Sequence, residues 1–272
     1  MDEKLLLGLK KWFEQYPGTI TAFSGGIDSA LVLFLSRKFL GKNRTVGVIS
    51  NSESLKDKDY LEAVNFAYEN DIILQTIHTE ELSDKRYNEN PHNRCYYCKT
   101  HLYTDLRSIQ KQYPDFVILN GTNKDDYSDY RPGMLAADEN KVKSPLAELG
   151  ITKQNIREIA RYFGISIWDK PSSPCLSSRI PYNKPITANK LAQVEKAEAV
   201  MNSFGYFNVR ARHYGDKCKI EVPVNQISEL KKDKHKIFPL IKNLGFIKCI
   251  IDDEGLVSGK LNRVITTAYE QL

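Results

Sequence analysis

The 272-residue chain lacks most features that would set it apart from ordinary globular proteins. No apolar run approaches the ~18 residues that cross a bilayer. Near the start only residues 5–7 are apolar before Gly8 and Lys10-Lys11, too short for a signal-peptide core. The expectation is a cytoplasmic protein with no membrane contact. Cysteine is sparse, five in all, which excludes a disulfide scaffold and points to reduced thiols or metal ligands. Repeats and low-complexity tracts are absent. No Gly-x4-Gly-Lys-Ser/Thr string occurs, so a Walker-type loop is excluded. Neither charge dominates: 39 basic and 34 acidic side chains leave +5. That mild excess suits phosphorylated ligands and is no nucleic-acid footprint by itself. What remains is 41% hydrophobic and 27% charged, the balance of a chain with one large or two modest domains.

Periodicity supplies the organisation. It predicts a helix over 3–15, stopped by Pro17-Gly18, then a strand over 19–24 and a helix over 28–40 ended by Gly41. Strand 45–50, helix 55–69 and strand 72–78 follow. Residues 79–94 are polar and irregular. Helix 95–112 and a buried strand over 116–120, ending at Gly121, come next. Beyond Gly150 lie a helix over 152–163 and a short apolar piece, 165–168. Strands alternating with helices mean βαβ units, hence an α/β fold with a doubly wound, mostly parallel sheet. Residues 169–185 hold four prolines and four serines without a usable period, and long loops of this kind are usually functional. The pattern then changes to a helix over 187–204, strands 209–214 and 218–222 about a Gly215-Asp216 turn, a helix near 237–244 and a strand over 246–252. The expected division is an α/β domain over 1–168, an active-site loop or linker over 169–185, and a small α+β domain over 186–272.

Ser24-Gly25-Gly26-Ile27-Asp28-Ser29 follows the first strand and opens a helix. Two glycines let backbone approach an anion, and the first free N–H groups of a helix point at it with a favourable dipole. The Ser24 and Ser29 hydroxyls add hydrogen bonds. The bland alternative is a helix capped by Asp28 or Ser29. The string resembles the PP-loop of the ATP pyrophosphatase superfamily, whose adenine nucleotide alpha hydrolase-like fold splits ATP between the α and β phosphates. Its members adenylate a substrate oxygen and replace AMP with nitrogen or sulfur. Gly121-Thr122-Asn123-Lys124-Asp125-Asp126 looks like that superfamily's second nucleotide element. Gly121 permits close approach, and Asp125 and Asp126 offer hard oxygens to Mg2+. Two solvated loop aspartates are the alternative.

The densest ligand cluster is His92-Asn-Arg-Cys95-Tyr-Tyr-Cys98-Lys-Thr-His101. Cys-x2-Cys alone is weak, and a local Cys2His2 zinc site would need four ligands converging from what reads as one helix. Cys175 lies in the proline-rich loop. Three cysteines can hold three irons of a cubane and leave the fourth open. Cys218 and Cys249, in strands, read as buried small hydrophobes. In the strand after 209, Arg210 and Arg212 share a face, suited to a phosphate; a solvated sheet face is the alternative. Lys217 and Lys219 share a face across the hairpin.

Taken together, the PP-loop, Asp129-Tyr130-Arg131-Pro132-Gly133, the 175–182 loop and Val209-Arg210-Ala211-Arg212 resemble the LarE family. Those sulfur transferases make the organic part of the nickel-pincer nucleotide. The resemblance runs from the first strand to the C-terminus. It implies adenylation of both carboxylates of pyridinium-3,5-dicarboxylate mononucleotide and their conversion to thiocarboxylates. It implies ATP and Mg2+ held by Ser24, Gly25, Gly26, Asp28, Ser29, Gly121, Asp125, Asp126 and Arg131, with Asp28 and Cys175 catalytic. It places the substrate phosphate on Arg210, Arg212 and Ser178. One branch of the family sacrifices the sulfur of a single loop cysteine. The chain resembles the other, in which Cys95, Cys98 and Cys175 would bind a [4Fe-4S] cluster carrying sulfide, from free sulfide or a sulfur carrier. Family members often form homo-oligomers. A PP-loop tRNA 2-thiolation enzyme is the runner-up, disfavoured by the absence of extra Cys-x2-Cys modules and of a strong basic stretch. Amide-forming relatives and a non-catalytic zinc module with a decayed nucleotide fold are weaker alternatives.

Overall fold

The computed structural model describes residues 3–128, 130–257 and 259–264. Asp129, part of the motif quoted above, lies outside the described residues. In chain order the regular elements are α1 (Glu3–Glu14), β1 (Gly18–Ala22), α2 (Ile27–Leu40), β2 (Thr45–Ser50), α3 (Asp57–Glu69), β3 (Ile73–Ile77), α4 (Lys85–Asn88), α5 (Arg94–Gln110), β4 (Phe116–Leu119), α6 (Gly133–Glu139), α7 (Pro145–Glu148), α8 (Lys153–Tyr162), α9 (Ala188–Ser203), β5 (Arg210–Tyr214), β6 (Lys217–Glu221), α10 (Ile227–Lys242) and β7 (Lys248–Ile251). They form two compact units. One takes the chain up to residue 81 together with 95–173; the other takes 82–94 and the chain from 174 onward. Among the described residues no helix is long and apolar enough to cross a membrane.

The first unit is α/β. Its strands run parallel in the order β3-β2-β1-β4, and both faces of the sheet are covered. On one face Ile20, Ala22, Val46, Val48 and Ile118 pack against Leu102, Tyr103 and Leu106 of α5. On the other, α2 lies against the sheet with α1, α3 and α8 around it, giving a core that includes Phe13, Leu33, Phe66 and Ile159. α2 is therefore buried on most of its circumference, as its near-continuous apolar sequence requires. β1 turns Thr19 toward this side, where its hydroxyl bonds Ser36, which in turn bonds Thr45 at 3.1 Å. These three hydroxyls are thus matched, whereas Thr21 Oγ1 of the same strand is buried with no partner among the described residues.

That strand order has a consequence. β2 and β3 extend the sheet to one side of β1, and β4 is laid on the other side. Connections leaving β1 and β4 at their carboxyl ends diverge, opening the crevice in which parallel sheets bind ligands. The Ser24–Ser29 loop follows β1 and the Gly121–Asp126 turn follows β4, so both motifs flank it. They touch: a Cβ on Gly121 would lie 2.5 Å from the Ser29 nitrogen and 2.9 Å from the Asp28 carbonyl carbon.

The second unit is α+β. β5 and β6 form an antiparallel hairpin, and β7 joins β6 in parallel. Ala211, Cys218 and Ile220 bury against Met201 of α9 and Leu230, Ile237 and Ile241 of α10. Segment 82–94, far upstream in sequence, is knotted into this unit. Asn90 is left-handed at φ 60°, and its Nδ2 donates to the carbonyls of Pro181 at 2.7 Å and Lys184 at 3.1 Å. The Tyr87 hydroxyl meets Ser177 Oγ at 2.6 Å. α10 begins at Ile227, well before the expected start near 237. Its first half is a lysine run carrying only Ile227 and Leu230 inward, too thin an apolar stripe to read. Residues 165–168 make turns, with Ile165 buried.

Gly121→Ala should destabilise the protein by about 1–3 kcal/mol, the usual cost of overpacking, because the backbone it would strike cannot rotate aside. Thermal unfolding measures this; an unchanged midpoint would mean the two loops separate freely.

Candidate active site

The Ser24–Ser29 loop is built from its own atoms first. α2 begins at Ile27, with Gly26 extended at the N-cap position (φ −86°, ψ 156°) and no side-chain cap. The capping alternative is thereby overturned: Ser29 Oγ donates back to the Gly26 carbonyl at 3.1 Å and accepts from Ser24 N at 3.2 Å, with Ser24 Oγ 3.0 Å away. The serines brace the loop, and among the described residues no side chain caps the amides of the first turn that an anion would use.

Asp28 sits in that first turn and pairs with Lys153, the first residue of α8. Lys153 is delivered there by a capping box, in which Thr152 and Asn155 satisfy each other's backbone N–H groups. Its backbone N–H also donates to Asp125 Oδ2 at 2.7 Å. Burial pushes the Asp28 carboxyl above the usual range against the pull of Lys153, and its Oδ1 is buried with no hydrogen-bond partner. An orphaned carboxylate oxygen beside an anion-binding helix start fits Mg2+. Asp126 is less suited. It is buried, pairs with Arg131 at 2.9 Å and accepts the Asn123 N–H at 3.1 Å. Asp126 is thus engaged at both oxygens, Asp125 at Oδ2, and Asp28 Oδ1 is the buried carboxylate oxygen left without a partner among the described residues.

A second buried ion network lies behind the loop. Lys170 pairs at 2.8 Å with both Asp59 and Glu62 of α3 and donates to the Gly25 carbonyl at 3.1 Å. Burial works against the Asp59 carboxylate, but Lys170 and a 2.7 Å bond from Ser173 outweigh it and hold it below the usual range.

In the second unit the basic face proves to be a buried mixed-charge network. Register sets Arg212 opposite Lys219 and Arg210 opposite Glu221. Arg212 is 2% exposed and Glu221 1%. They pair at 2.9 Å, and Arg212 also donates to the Ser178 carbonyl at 2.6 Å, while its Nε is buried without a partner. A solvated face is thus excluded for Arg212. Arg210 is half-buried, and burial, then the neighbouring Arg212 and Arg179, push its pKa down. Lys219 goes to Asp252 at 2.8 Å. Arg179, 1% exposed, organises the cysteine loop: it pairs with Glu198 at 2.8 Å and donates to the carbonyls of Pro174 and Cys175 and to Ser178 Oγ.

Sequence reasoning passed over Lys153, Lys170, Arg179, Glu198 and Glu221. Glu198 did leave a signal, a carboxylate on the buried stripe of α9 between Ala197 and Met201. The others are ordinary surface residue types whose roles depend on partners far along the chain.

All five cysteines are among the described residues, and none is in a disulfide. Cys218 and Cys249 are buried side by side in the second core, as expected of small hydrophobes. Cys95 and Cys98 belong to the first unit and Cys175 to the second. Within neither unit do three His, Cys, Asp or Glu side chains among the described residues gather as a ready-made metal site, so no local Cys2His2 zinc site is formed. Cys95 and Cys175 are exposed and Cys98 half-buried, and accessible thiolates are the donor type that iron–sulfur clusters take.

Comparison with known proteins extends this geometry. An NAD synthase family pattern matches residues 5–107, which contain the phosphate loop. The pyridinium-3,5-bisthiocarboxylic acid mononucleotide synthase of Lactiplantibacillus plantarum is 34% identical over 91% of this chain and 90% of its own. The chain belongs to the LarE family. Membership supports an ATP-dependent sulfur-transferase role on the PP-loop α/β fold. An uncharacterized protein of Synechocystis is 38% identical over 98% of the chain and 100% of its own length. An ammonia-dependent NAD+ synthetase of Thermotoga maritima is 38% identical over 76 residues, 25% of the chain.

Two outcomes follow from the buried charges. Glu198→Ala leaves Arg179 buried and unpaired and should lower the unfolding free energy by about 3–5 kcal/mol in chemical denaturation; a loss under about 1 kcal/mol would mean the arginine reaches water. Asp59 titrates low, so the stability it contributes is present above its ordinary value of 3.8 and is lost as pH falls below that through the lowered value. Unfolding midpoints measured down to about pH 3 should therefore fall less steeply below about pH 4 in Asp59→Asn than in wild type. Equal slopes would show that the carboxylate is not stabilised.

Proposed function

We propose that the protein adenylates the two carboxylates of pyridinium-3,5-dicarboxylate mononucleotide with ATP and replaces AMP by sulfur, giving the bisthiocarboxylate. The observation that carries this reading lies in the second unit. The loop presenting the exposed Cys175 thiol is braced by Arg179 and tied through the Ser178 carbonyl to Arg212, one of the two arginines that suit a mononucleotide phosphate. Thiol and phosphate grip thus form one construction, as thiolation of a mononucleotide requires. The family relationship, with a relative named for that product, supports it independently.

The chain's residues divide the work. Amides at the start of α2, with Ser24 and Ser29, take the β and γ phosphates, and Asp28 Oδ1 takes Mg2+. A substrate carboxylate oxygen bonds the α phosphorus as the Pα–O bond to pyrophosphate breaks. Sulfur then bonds the acyl carbon as the C–O bond to AMP breaks. Arg210 and Arg212, with Ser178, hold the substrate's phosphate so that its ring carboxylates stay in place through both steps. Cys95, Cys98 and Cys175 are proposed to bind a [4Fe-4S] cluster, which when bound supplies sulfide received from free sulfide or a sulfur carrier.

The test is an anaerobic incubation with Mg-ATP, sulfide and the dicarboxylate mononucleotide, followed by mass spectrometry. Expected are the thiocarboxylate, one AMP per carboxylate, and no AMP from Asp28→Ala. Protein purified without oxygen should contain about four irons, lost in Cys95→Ala. AMP formed without thiolated product would retain adenylation but reject sulfur transfer. One zinc without iron would reject the cluster and leave Cys175 as a sacrificial donor.

A further inference from the structure

Lys170 lies outside every motif discussed above, yet it grips the middle of the phosphate loop. Only 14% of its side chain is exposed. Its ammonium is shared among the Gly25 carbonyl at 3.1 Å, Asp59 at 2.8 Å and Glu62 at 2.8 Å. Burial alone would lower its pKa, and the two carboxylates overcome that and raise it.

Gly25 is in the left-handed region at φ 72°. Without a side chain, the peptide joining it to Gly26 has little steric reason to keep one orientation. The two polar ends of a trans peptide point in opposite directions. Holding the Gly25 carbonyl on Lys170 therefore aims the Gly26 N–H away from the lysine. Gly26 is the N-cap of α2, and its N–H stands with those of the first turn as a donor for an anion at the helix start. If that peptide rotates, a carbonyl oxygen replaces the donor and repels phosphate. Lys170 has a second effect. Asp59 and Glu62 are two negative charges behind a loop meant for a polyanion, and the lysine offsets them. The corner is tightly packed: a Cβ on Gly25 would sit 3.1 Å from the Asp59 carbonyl oxygen, and Ser173 ties the lysine's own segment to Asp59.

We propose that Lys170 is a positioning residue for the pyrophosphate end of ATP, fixing the Gly25–Gly26 peptide with its N–H toward the phosphates. The inference rests on the reading of the loop as the ATP site, and it does not depend on which substrate is adenylated.

Calorimetry with the non-cleavable α,β-methylene analogue of ATP plus Mg2+, compared with AMP, separates this role from a plain structural staple. Lys170→Met should bind the analogue about tenfold or more weakly, the loss expected for one charge-dependent contact. AMP, which lacks the β and γ phosphates, should change by no more than about twofold. Lys170→Arg should recover most of the affinity for the analogue. Should Lys170→Met fail to fold, Asp59→Asn, which loosens the lysine, must show the same selectivity. Unchanged affinity for the analogue, or equal losses for analogue and AMP, would overturn the positioning role. Wild-type protein that does not bind the analogue would instead overturn the assignment of the loop to ATP.

Discussion

Buried charge has to be matched, and at both candidate sites the partner comes from another element of the fold. In the first unit Asp28 of α2 is met by Lys153 of α8, and Asp59 and Glu62 of α3 by Lys170. In the second, Arg179 is met by Glu198 and Arg212 by Glu221. Asp28, Lys153 and Glu62 keep partial contact with solvent. Arg179, Glu198, Arg212 and Glu221 are fully buried, and isolated ions of that kind would cost several kcal/mol each in a low-dielectric interior. Each pair therefore fixes where two segments meet as firmly as apolar packing does. The phosphate loop and the cysteine loop have little regular structure of their own, and their shapes depend on these pairs.

The two units offer different kinds of surface. A parallel sheet with its chain reversal beside β1 makes a crevice lined with helix N–H groups, which suits a polyphosphate and its metal ion. A small antiparallel hairpin with alternating side chains puts arginines on one face and core residues on the other, which suits a compact anionic substrate. Arg212 shows the compromise. Its pairing with Glu221 keeps it ordered and buried, while its unpartnered Nε leaves hydrogen-bonding capacity in hand.

Partners supplied by the fold refine the sequence reading. Asp28 and Ser29 were the alternative caps of α2; in the structure the helix has no side-chain cap, and Ser29 braces the loop instead. Asp125 and Asp126 were candidate metal ligands of equal standing. The structure engages both oxygens of Asp126 and Oδ2 of Asp125, and adds Asp28 Oδ1 as a buried oxygen without a partner among the described residues. The alternative of a solvated basic strand face fails for Arg212, which is buried against Glu221, while Lys219 pairs with Asp252. In each case the residue type was right for an anion or cation, and a partner invisible to local pattern took part of its capacity.

What the sequence by itself determined is what depends on neighbours within a few residues. This covers the alternation of strands and helices, the glycines after β1, the Gly215 turn, the family motifs and hence the α/β fold with its ATP-using chemistry. Periodicity, turn chemistry and helix starts are local, and a local signal survives in a string of letters. Tertiary structure alone decided that Lys153, Lys170 and Arg179 are site-building residues. It also decided that segment 82–94 joins the second unit, and which carboxylate oxygen stays open. Those outcomes depend on charges and hydrogen-bonding groups brought together from segments up to 145 residues apart, as for Lys170 and Gly25. No spacing rule relates them, because only the folded core sets that distance.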